Sequence, residues 1–169
     1  AYAQSGSGVF YLRNSSGEVT FQGNCVPQAN GLRQMDFSPV KAEGWYTLEV
    51  DGKKSRPFRI GRDAYIPAAW KTLNFFFSER CGFDVPGIHT ECHMDVMSVH
   101  PDGRRLPVCG GWHDAGDLTQ AAINTAESVF AMLELAIAER EAQPELSQRA
   151  KEEARWGLNW LMRTRWGDG

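Results

Sequence analysis

The pattern of apolar residues changes its period near residue 61, and this change restricts the fold more than any other feature of the chain. Before it, apolar and polar residues alternate in short runs separated by turn residues such as Asp51-Gly52. The predicted strands are residues 9–13, 18–22, 46–50 and 56–60. After it, apolar residues recur with the helical period. The sequence therefore predicts a partial β-sandwich over residues 1–61 and an all-α domain over residues 62–169.

Three helices are predicted after the β module. The first has its N-cap at Asp63, the second runs from Asp117 to about Arg140, and the third runs from about Pro144 to Thr164. Their apolar stripes are Tyr65, Ala69, Leu73, Phe76 and Phe77; Leu118, Ala122, Ala126, Val129, Leu133 and Ile137, backed by Ile123 and Phe130; and Leu146, Ala150, Ala154, Leu158 and Leu161. The second stripe is wide, so we expect that helix to pack on both sides. Three helices do not close an all-α fold, and we interpret the chain as a fragment or as one of two pieces.

The composition excludes two classes of partner. The net charge is −3 over 169 residues, and Lys and Arg are interspersed with Asp and Glu. Because no basic stripe could neutralise a phosphate backbone, we expect no nucleic acid partner. No apolar run approaches the roughly 20 residues that cross a bilayer. The first residues also lack the charged and then apolar pattern of a signal peptide. The sequence predicts a globular protein with no membrane partner.

Two aspartates lie three residues apart in the segment Gly-Gly-Trp-His-Asp-Ala-Gly-Asp, residues 110–117. This spacing places the carboxylates of Asp114 and Asp117 near one another at the predicted start of the second helix. A helix amino terminus favours ionised carboxylates, as a general base requires. The simpler interpretation of an aspartate at this position is an N-cap. Trp112 offers an apolar ring face for a sugar, although packing would explain a single tryptophan equally well.

The segment at residues 110–117 resembles the most diagnostic part of glycoside hydrolase family 9, which includes many bacterial, plant and termite cellulases. Further matches are Glu79-Arg80-Cys81-Gly82-Phe83, Val85-Pro86-Gly87, Asn124-Thr125-Ala126 and Trp156-Gly157-Leu158. The β module ending at Arg59-Ile60 is similar to the immunoglobulin-like domain that precedes the catalytic domain in one branch of the family. The resemblance covers nearly the whole chain. It implies that the predicted helices are the first ones of an (α/α)6 barrel.

The resemblance implies an inverting endo-β-1,4-glucanase, or cellulase, that acts on cellulose-like or mixed-linkage glucans. Asp117 matches the general base that removes a proton from water, and Asp114 matches the partner that helps to hold that water. The family's general acid is a glutamate beyond Gly169, so this chain alone is expected to be inactive. Its expected partners are a β-glucan and the remaining part of the barrel, and its expected location is secreted, extracellular or periplasmic.

Two other functions are alternatives to the endoglucanase. One is an exo-acting relative that releases cellobiose, glucose or glucosamine from a chain end. The other, from a different class, is a noncatalytic zinc-stabilised module that binds carbohydrate or another protein. A polypeptide that continues for several hundred residues to a catalytic glutamate would favour either enzyme over this module.

A cluster of cysteines and histidines accompanies the aspartates. Cys81 and Cys92-His93 lie in an irregular segment, residues 81–111, and His113 directly precedes Asp114. Two thiolates and two imidazoles complete a tetrahedral zinc set with no open position. From the residues alone, the simpler interpretation is a Cys81–Cys92 disulfide with both histidines on the surface. The resemblance favours structural zinc, because the branch with the β module commonly binds zinc at these positions. Calcium remains open as a second metal, although no EF-hand-like loop is present.

Residues outside these two sites receive simpler interpretations. Cys25 and Cys109 are expected to be buried free thiols, and His89 and His100 to be loop or surface residues. The run Lys151-Glu152-Glu153 is expected to be a solvated helix face.

Overall fold

The computed structural model describes residues 1–4, 8–114 and 119–167. It divides the chain into two compact units, Ala1–Ile66 and Pro67–Gly169. Asp117 lies outside the described residues, so its predicted position is not addressed by the structure. Asp114 and the four predicted metal ligands lie within them.

The first unit is an antiparallel sheet of seven described strands, four of which have only two or three residues. The strands are β1 Tyr2–Ala3, β2 Val9–Asn14, β3 Val19–Pro27, β4 Arg33–Met35, β5 Gly44–Val50, β6 Lys53–Lys54 and β7 Phe58–Ile60. Their order is β1-β4-β3-β2-β5-β6, and β7 also pairs with β5. The four predicted strands thus correspond to β2, β3, β5 and β7.

Strand alternation forms the core of this unit. On β2, Phe10 and Leu12 are buried, and on β5, Tyr46 and Leu48 are buried because side chains alternate between the two faces of a strand. Leu12 lies directly opposite Leu48 in the β2–β5 pair. The predicted turn at Asp51-Gly52 is confirmed, with φ angles of 49° and 74°. The first residues to pair after it are those of β6, whereas the sequence predicted a strand from residue 56.

The second unit contains three helices, α1 Ile66–Ser78, α2 Ala122–Ala138 and α3 Pro144–Arg163. The predicted fold class, an antiparallel β module followed by helices, is confirmed. The sequence predicted an N-cap at Asp63 for the first helix and a start at Asp117 for the second. Both predictions were wrong for the described helices. The Asp63 carboxylate accepts hydrogen bonds from Arg59 instead of capping α1. The cap of α2 is Ala121, and no side chain caps that helix. Within the described residues, no helix is both long and apolar enough to span a bilayer.

The buried face of α2 differs from the predicted one. The helix buries Thr125, Val129, Met132 and Ala136. The most apolar positions of the predicted stripe are exposed instead: Ile123, Phe130, Leu133 and Ile137. The face of α2 that packs against α3 makes close contacts with it, such as the hydrogen bond that Ser147 Oγ donates to the Ala136 carbonyl at 2.6 Å. The exposed apolar face agrees with the expectation that α2 has a second packing partner.

The segment 81–111 is less irregular than the sequence indicated. It contains a short hairpin of β8 Met97–Val99 and β9 Arg105–Pro107. Three residues are too few to establish an alternating pattern by inspection, which explains why this hairpin was missed.

Candidate metal centre and catalytic segment

An isolated β-bridge brings together the two chain segments that carry the candidate site. Arg80 pairs with Trp112 in antiparallel fashion. The Cys81 amide donates to the Gly111 carbonyl at 3.1 Å, and the His113 amide donates to the Glu79 carbonyl at 2.9 Å. We call residues 79–81 and 111–113 the 80/112 bridge. Since neighbouring side chains on extended backbone point to opposite sides, Cys81 and His113 lie on one side of the bridge, and Arg80 and Trp112 lie on the other.

The four predicted metal ligands come together on the first side. The ligand atoms of Cys81, Cys92, His93 and His113 all lie within 4.8 Å of one another. Cys81 Sγ is 3.3 Å from His93 Nδ1, and Cys92 Sγ is 3.3 Å from His113 Nε2. The two sulfurs are 3.9 Å apart. His89 lies outside the set, because its ring nitrogens contact the carbonyls of Ser78 and Thr90.

These distances suit a tetrahedral metal site better than a disulfide. A tetrahedron with metal–sulfur bonds of about 2.3 Å and metal–nitrogen bonds of about 2.0 Å has edges of about 3.3–3.8 Å. A disulfide would bring the sulfurs to about 2.05 Å, whereas all four cysteines of the chain are free. The cluster could therefore bind a metal. His93 has a φ of 56°, an uncommon value for a non-glycine residue, and this backbone turn brings its ring to Cys81.

Burial shifts the pKa of two residues of the cluster, Cys81 and His113. It raises the pKa of the Cys81 thiol to about 11, and the neighbouring Cys92 adds to this effect. It lowers the pKa of His113, as do the nearby His89 and His93, so the imidazole is kept in its neutral, ligating form. Binding of a divalent cation would have to displace the thiol protons. Glu79 lies 3.8 Å from His113 Nδ1 and is suited to orient that ring.

Asp114 is exposed, and it is the last residue of the segment 110–117 that the structure describes. It borders a concavity of about 240 Å³ whose other lining residues are Phe75, Phe76, Trp112, His113, Ala121, Asn124, Thr125 and Ser128. Asn124 Nδ2 lies 3.4 Å from Asp114 Oδ1. Asp114 precedes the first residue of α2 by eight positions, yet its carboxylate lies beside Asn124 in the first turn of that helix. The support of its charge by the helix terminus stays a prediction. A second carboxylate beside it depends on Asp117, which lies outside the described residues.

Trp112 is buried, with only 5% of its surface exposed. Its ring packs edge-on against Phe76 at 5.0 Å between centroids, and its Nε1 donates to Glu153 Oε1 at 2.8 Å. This position favours packing, the alternative that the sequence left open, although the ring also borders the concavity beside Asp114.

Glu153 is a residue whose importance the sequence did not reveal. The expectation of a solvated face was wrong for this residue, because its side chain is fully buried between Arg80, Arg149 and Trp112. One signal could have found it: Glu153 lies seven residues after Leu146 and three after Ala150, on the buried stripe of α3. A charged residue on an apolar stripe predicts a buried ion pair.

We expect Gly157→Ala to destabilise the second unit. A Cβ at this position would collide with the Trp112 ring and lie 2.8 Å from Val129 Cγ2. Alanine favours a helix by about 1 kcal/mol over glycine, but overpacking costs about 1–3 kcal/mol. Thermal unfolding should therefore show a lower melting temperature. Asn159→Ala, at an exposed position of the same helix, is the control and should change stability little. Unchanged stability of Gly157→Ala would contradict the tight packing of Trp112 on α3.

The family model for glycosyl hydrolase family 9 matches residues 65–169, which include α1, the cluster of two cysteines and two histidines, the segment 110–117 and both later helices. This chain belongs to glycosyl hydrolase family 9. The resemblance predicted from the motif at residues 110–117 is thereby confirmed.

Curated relatives of this family 9 chain include two bacterial enzymes. Endoglucanase C of Cellulomonas fimi is 29% identical over 197 aligned residues, which cover 89% of this chain and 18% of that protein. A cellodextrinase of Butyrivibrio fibrisolvens is 35% identical over 105 residues, which cover 58% of this chain and 19% of that protein. The chain thus spans about a fifth of the curated relatives that it matches.

Solved structures share the fold across both units. AaCel9A in complex with cellobiose-like isofagomine is 28% identical with a TM-score of 0.72, and the match covers 98% of this chain and 35% of that one. A Zn-binding triple mutant of the family 9 endoglucanase J30 is 29% identical with a TM-score of 0.69, covering 99% of this chain and 38% of that one.

Proposed function

We propose that this chain is part of an inverting glycoside hydrolase that cleaves β-1,4-glucosidic bonds in cellulose-like or mixed-linkage glucans by endo attack. The observation that carries the proposal is the family match, which includes the whole of residues 110–117. The related proteins named endoglucanase and cellodextrinase support a glucan substrate. In this proposal Asp117 is the general base, and Asp114 helps to hold the attacking water.

The surroundings of Asp114 support its assigned role. The carboxylate is exposed and borders a concavity, and among the described residues Asn124 provides a close polar contact to it. Such a carboxylate can accept a hydrogen bond from water while a neighbouring base removes the proton. The aromatic rings of Phe75 and Phe76 line the same concavity and suit the apolar faces of a pyranose. Trp112 contributes to sugar binding only where its ring borders this concavity.

The rest of the barrel supplies what this chain lacks. An inverting reaction needs a general acid about 6.5–9.5 Å from the base, so that a water molecule fits between substrate and base. We infer that this acid comes from a later part of the catalytic domain, and that this chain alone is inactive. The exposed apolar face of α2 supports such a partner, because Ile123, Phe130, Leu133 and Ile137 would otherwise face water.

We further infer that the cluster binds zinc as a structural ion. Two thiolates and two imidazoles fill a tetrahedral shell and leave no position for substrate. Zinc there would tie residues 81 and 92–93 to His113 and so fix the backbone next to Asp114. The Zn-binding triple mutant of the family 9 endoglucanase J30 supports this choice of metal. Secretion to the cell exterior or periplasm would suit a polymeric substrate. We place the domain boundary close to residue 61, near the junction of the compact units at Ile66.

Exo cleavage is the second candidate, favoured by one relative. This relative is a cellulose 1,4-beta-cellobiosidase of Acetivibrio thermocellus that is 26% identical over 162 residues. The two modes differ in the products from carboxymethylcellulose. Endo cleavage should lower the viscosity quickly while few reducing ends form, whereas exo cleavage should release sugars with little early change in viscosity.

The complete enzyme is expected to release products with inverted anomeric configuration. A base that activates water on the face opposite the leaving group produces an α-anomer from a β-linkage. Proton NMR of cellopentaose hydrolysis, recorded before mutarotation, should show the α-anomer first. An initial β-anomer would contradict the assignment of Asp117 as a base acting on water.

A further inference from the structure

Glu153 of α3 accepts hydrogen bonds from three side chains although it is fully buried. Arg80 Nε donates to Oε1 at 3.0 Å and Arg80 Nη2 donates to Oε2 at 3.0 Å. Trp112 Nε1 adds a bond to Oε1 at 2.8 Å, and Arg149 Nη1 adds one to Oε2 at 2.6 Å. Each carboxylate oxygen thus receives two donors.

This pattern requires a carboxylate. Glutamine has the same shape, but one of its two terminal atoms is a donor. Its NH2 group would face either the Arg80 and Trp112 donors or the Arg80 and Arg149 donors, so buried N–H groups would lose their acceptor. The charge matters as well, because Glu153 is the acceptor for both guanidinium groups.

Two of the three donor residues connect Glu153 to the candidate site. Arg80 and Trp112 are the paired residues of the 80/112 bridge. The neighbouring bridge residues Cys81 and His113 belong to the metal-ligand cluster on the opposite side. Glu153 therefore binds the 80/112 bridge through hydrogen bonds on one side, and the metal-ligand cluster lies on the opposite side of the bridge. We infer that Glu153 is a positioning residue, which fixes the 80/112 bridge through Arg80 and Trp112 and thereby sets the positions of His113 and Asp114.

A stabilising role and a positioning role make different predictions. A buried ion pair contributes little net stability compared with apolar packing, because desolvation offsets its attraction. If Glu153 only supports packing, its loss lowers the melting temperature and leaves local geometry at the bridge unchanged. If it positions the bridge, its loss frees the bridge amides and weakens metal binding in protein that is still folded.

The experiment compares Glu153→Gln and Trp112→Phe with Glu152→Gln. Trp112→Phe keeps an aromatic ring and removes the N–H donor to Glu153. Glu152→Gln makes the same charge change one residue away, at an exposed side chain that accepts a hydrogen bond from Gln148. Hydrogen exchange of the Cys81 and His113 amides is measured in metal-free protein by NMR. Zinc affinity is measured by competition with a chromophoric chelator, and circular dichroism reports folding.

We expect Glu153→Gln and Trp112→Phe to speed exchange of both amides by about tenfold and to weaken zinc binding by about tenfold, since residues that orient ligands change metal affinity by about 10–100-fold. The double variant should lose less than the product of the two, because both changes break one network. Glu152→Gln should match the wild type. If Glu153→Gln does not fold, Trp112→Phe alone decides.

Unchanged exchange rates in folded variants, or a lower melting temperature alone, would overturn the positioning role. The affinity measurement rests on the proposed metal site, but the exchange measurement does not. If wild-type protein binds no zinc while the variants still speed amide exchange, the proposed metal fails and the positioning of the bridge stands. If wild-type protein binds zinc and the variants bind it equally well with unchanged exchange, only the role of Glu153 fails.

Discussion

Replacement of Asp117 by asparagine in the complete enzyme is expected to lower kcat by about 10²–10⁴-fold, which is the usual contribution of a general base. Asparagine keeps the size of the side chain but cannot accept a proton from the attacking water at neutral pH. Folding and sugar binding should therefore persist. Asp114→Asn should also lower kcat, but less severely, because its assigned role is to hold the water and not to remove its proton.

The measurement pairs initial rates on cellopentaose with calorimetric titration of the inactive variants. Asp84→Asn is a matched control, since it removes one exposed carboxylate from the same unit. We expect it to retain wild-type kcat. If Asp117→Asn keeps more than a tenth of the wild-type kcat, the assignment of the base is wrong. If Asp117→Asn no longer binds oligosaccharide, the aspartate acts in binding or folding and not as a base alone.

Removal of the metal is expected to have the largest effect on stability. A ligand present at a thousand times its Kd stabilises the folded state by about 4 kcal/mol. For a chain of this size, that free energy corresponds to a shift in melting temperature on the order of 10 °C. We therefore expect a strong chelator to lower the melting temperature of the second unit. Cys92→Ser should do the same, because a serine hydroxyl at this position is a far poorer zinc ligand than a thiolate.

Elemental analysis of purified protein should show one zinc per chain in the wild type and much less in Cys92→Ser. Cys109→Ser is the control, because Cys109 is a free thiol in the same segment that does not belong to the ligand set. It should keep both the zinc and the sensitivity to chelator. Wild-type protein without stoichiometric zinc, or a melting temperature that chelator leaves unchanged, would contradict the structural role of the metal.

Local patterns predicted the elements of this fold well where a segment was long or had a clear period. The strands β2 and β5 were predictable because alternating residues share one face, and α3 was predictable from Leu146, Ala150 and Ala154 together with its first-turn proline. Short elements were not predictable. The hairpin of β8 and β9 has only three residues on each strand. The start of α2 was misplaced because an aspartate after glycines is also typical of a loop.

The sequence by itself determined the family and the chemical inventory: two aspartates in a diagnostic segment, and two cysteines and two histidines in a set that suits a metal. These follow from residue types and their spacing along the chain. Only the tertiary structure decided which side chains meet. It joined Cys81 to His113 through the 80/112 bridge and placed Cys92-His93 beside them. It also buried Glu153 against the other side of that bridge. Burial and pairing between distant residues depend on how α3 packs, because a charge on a helix surface and a charge inside an ion-pair network look alike in sequence.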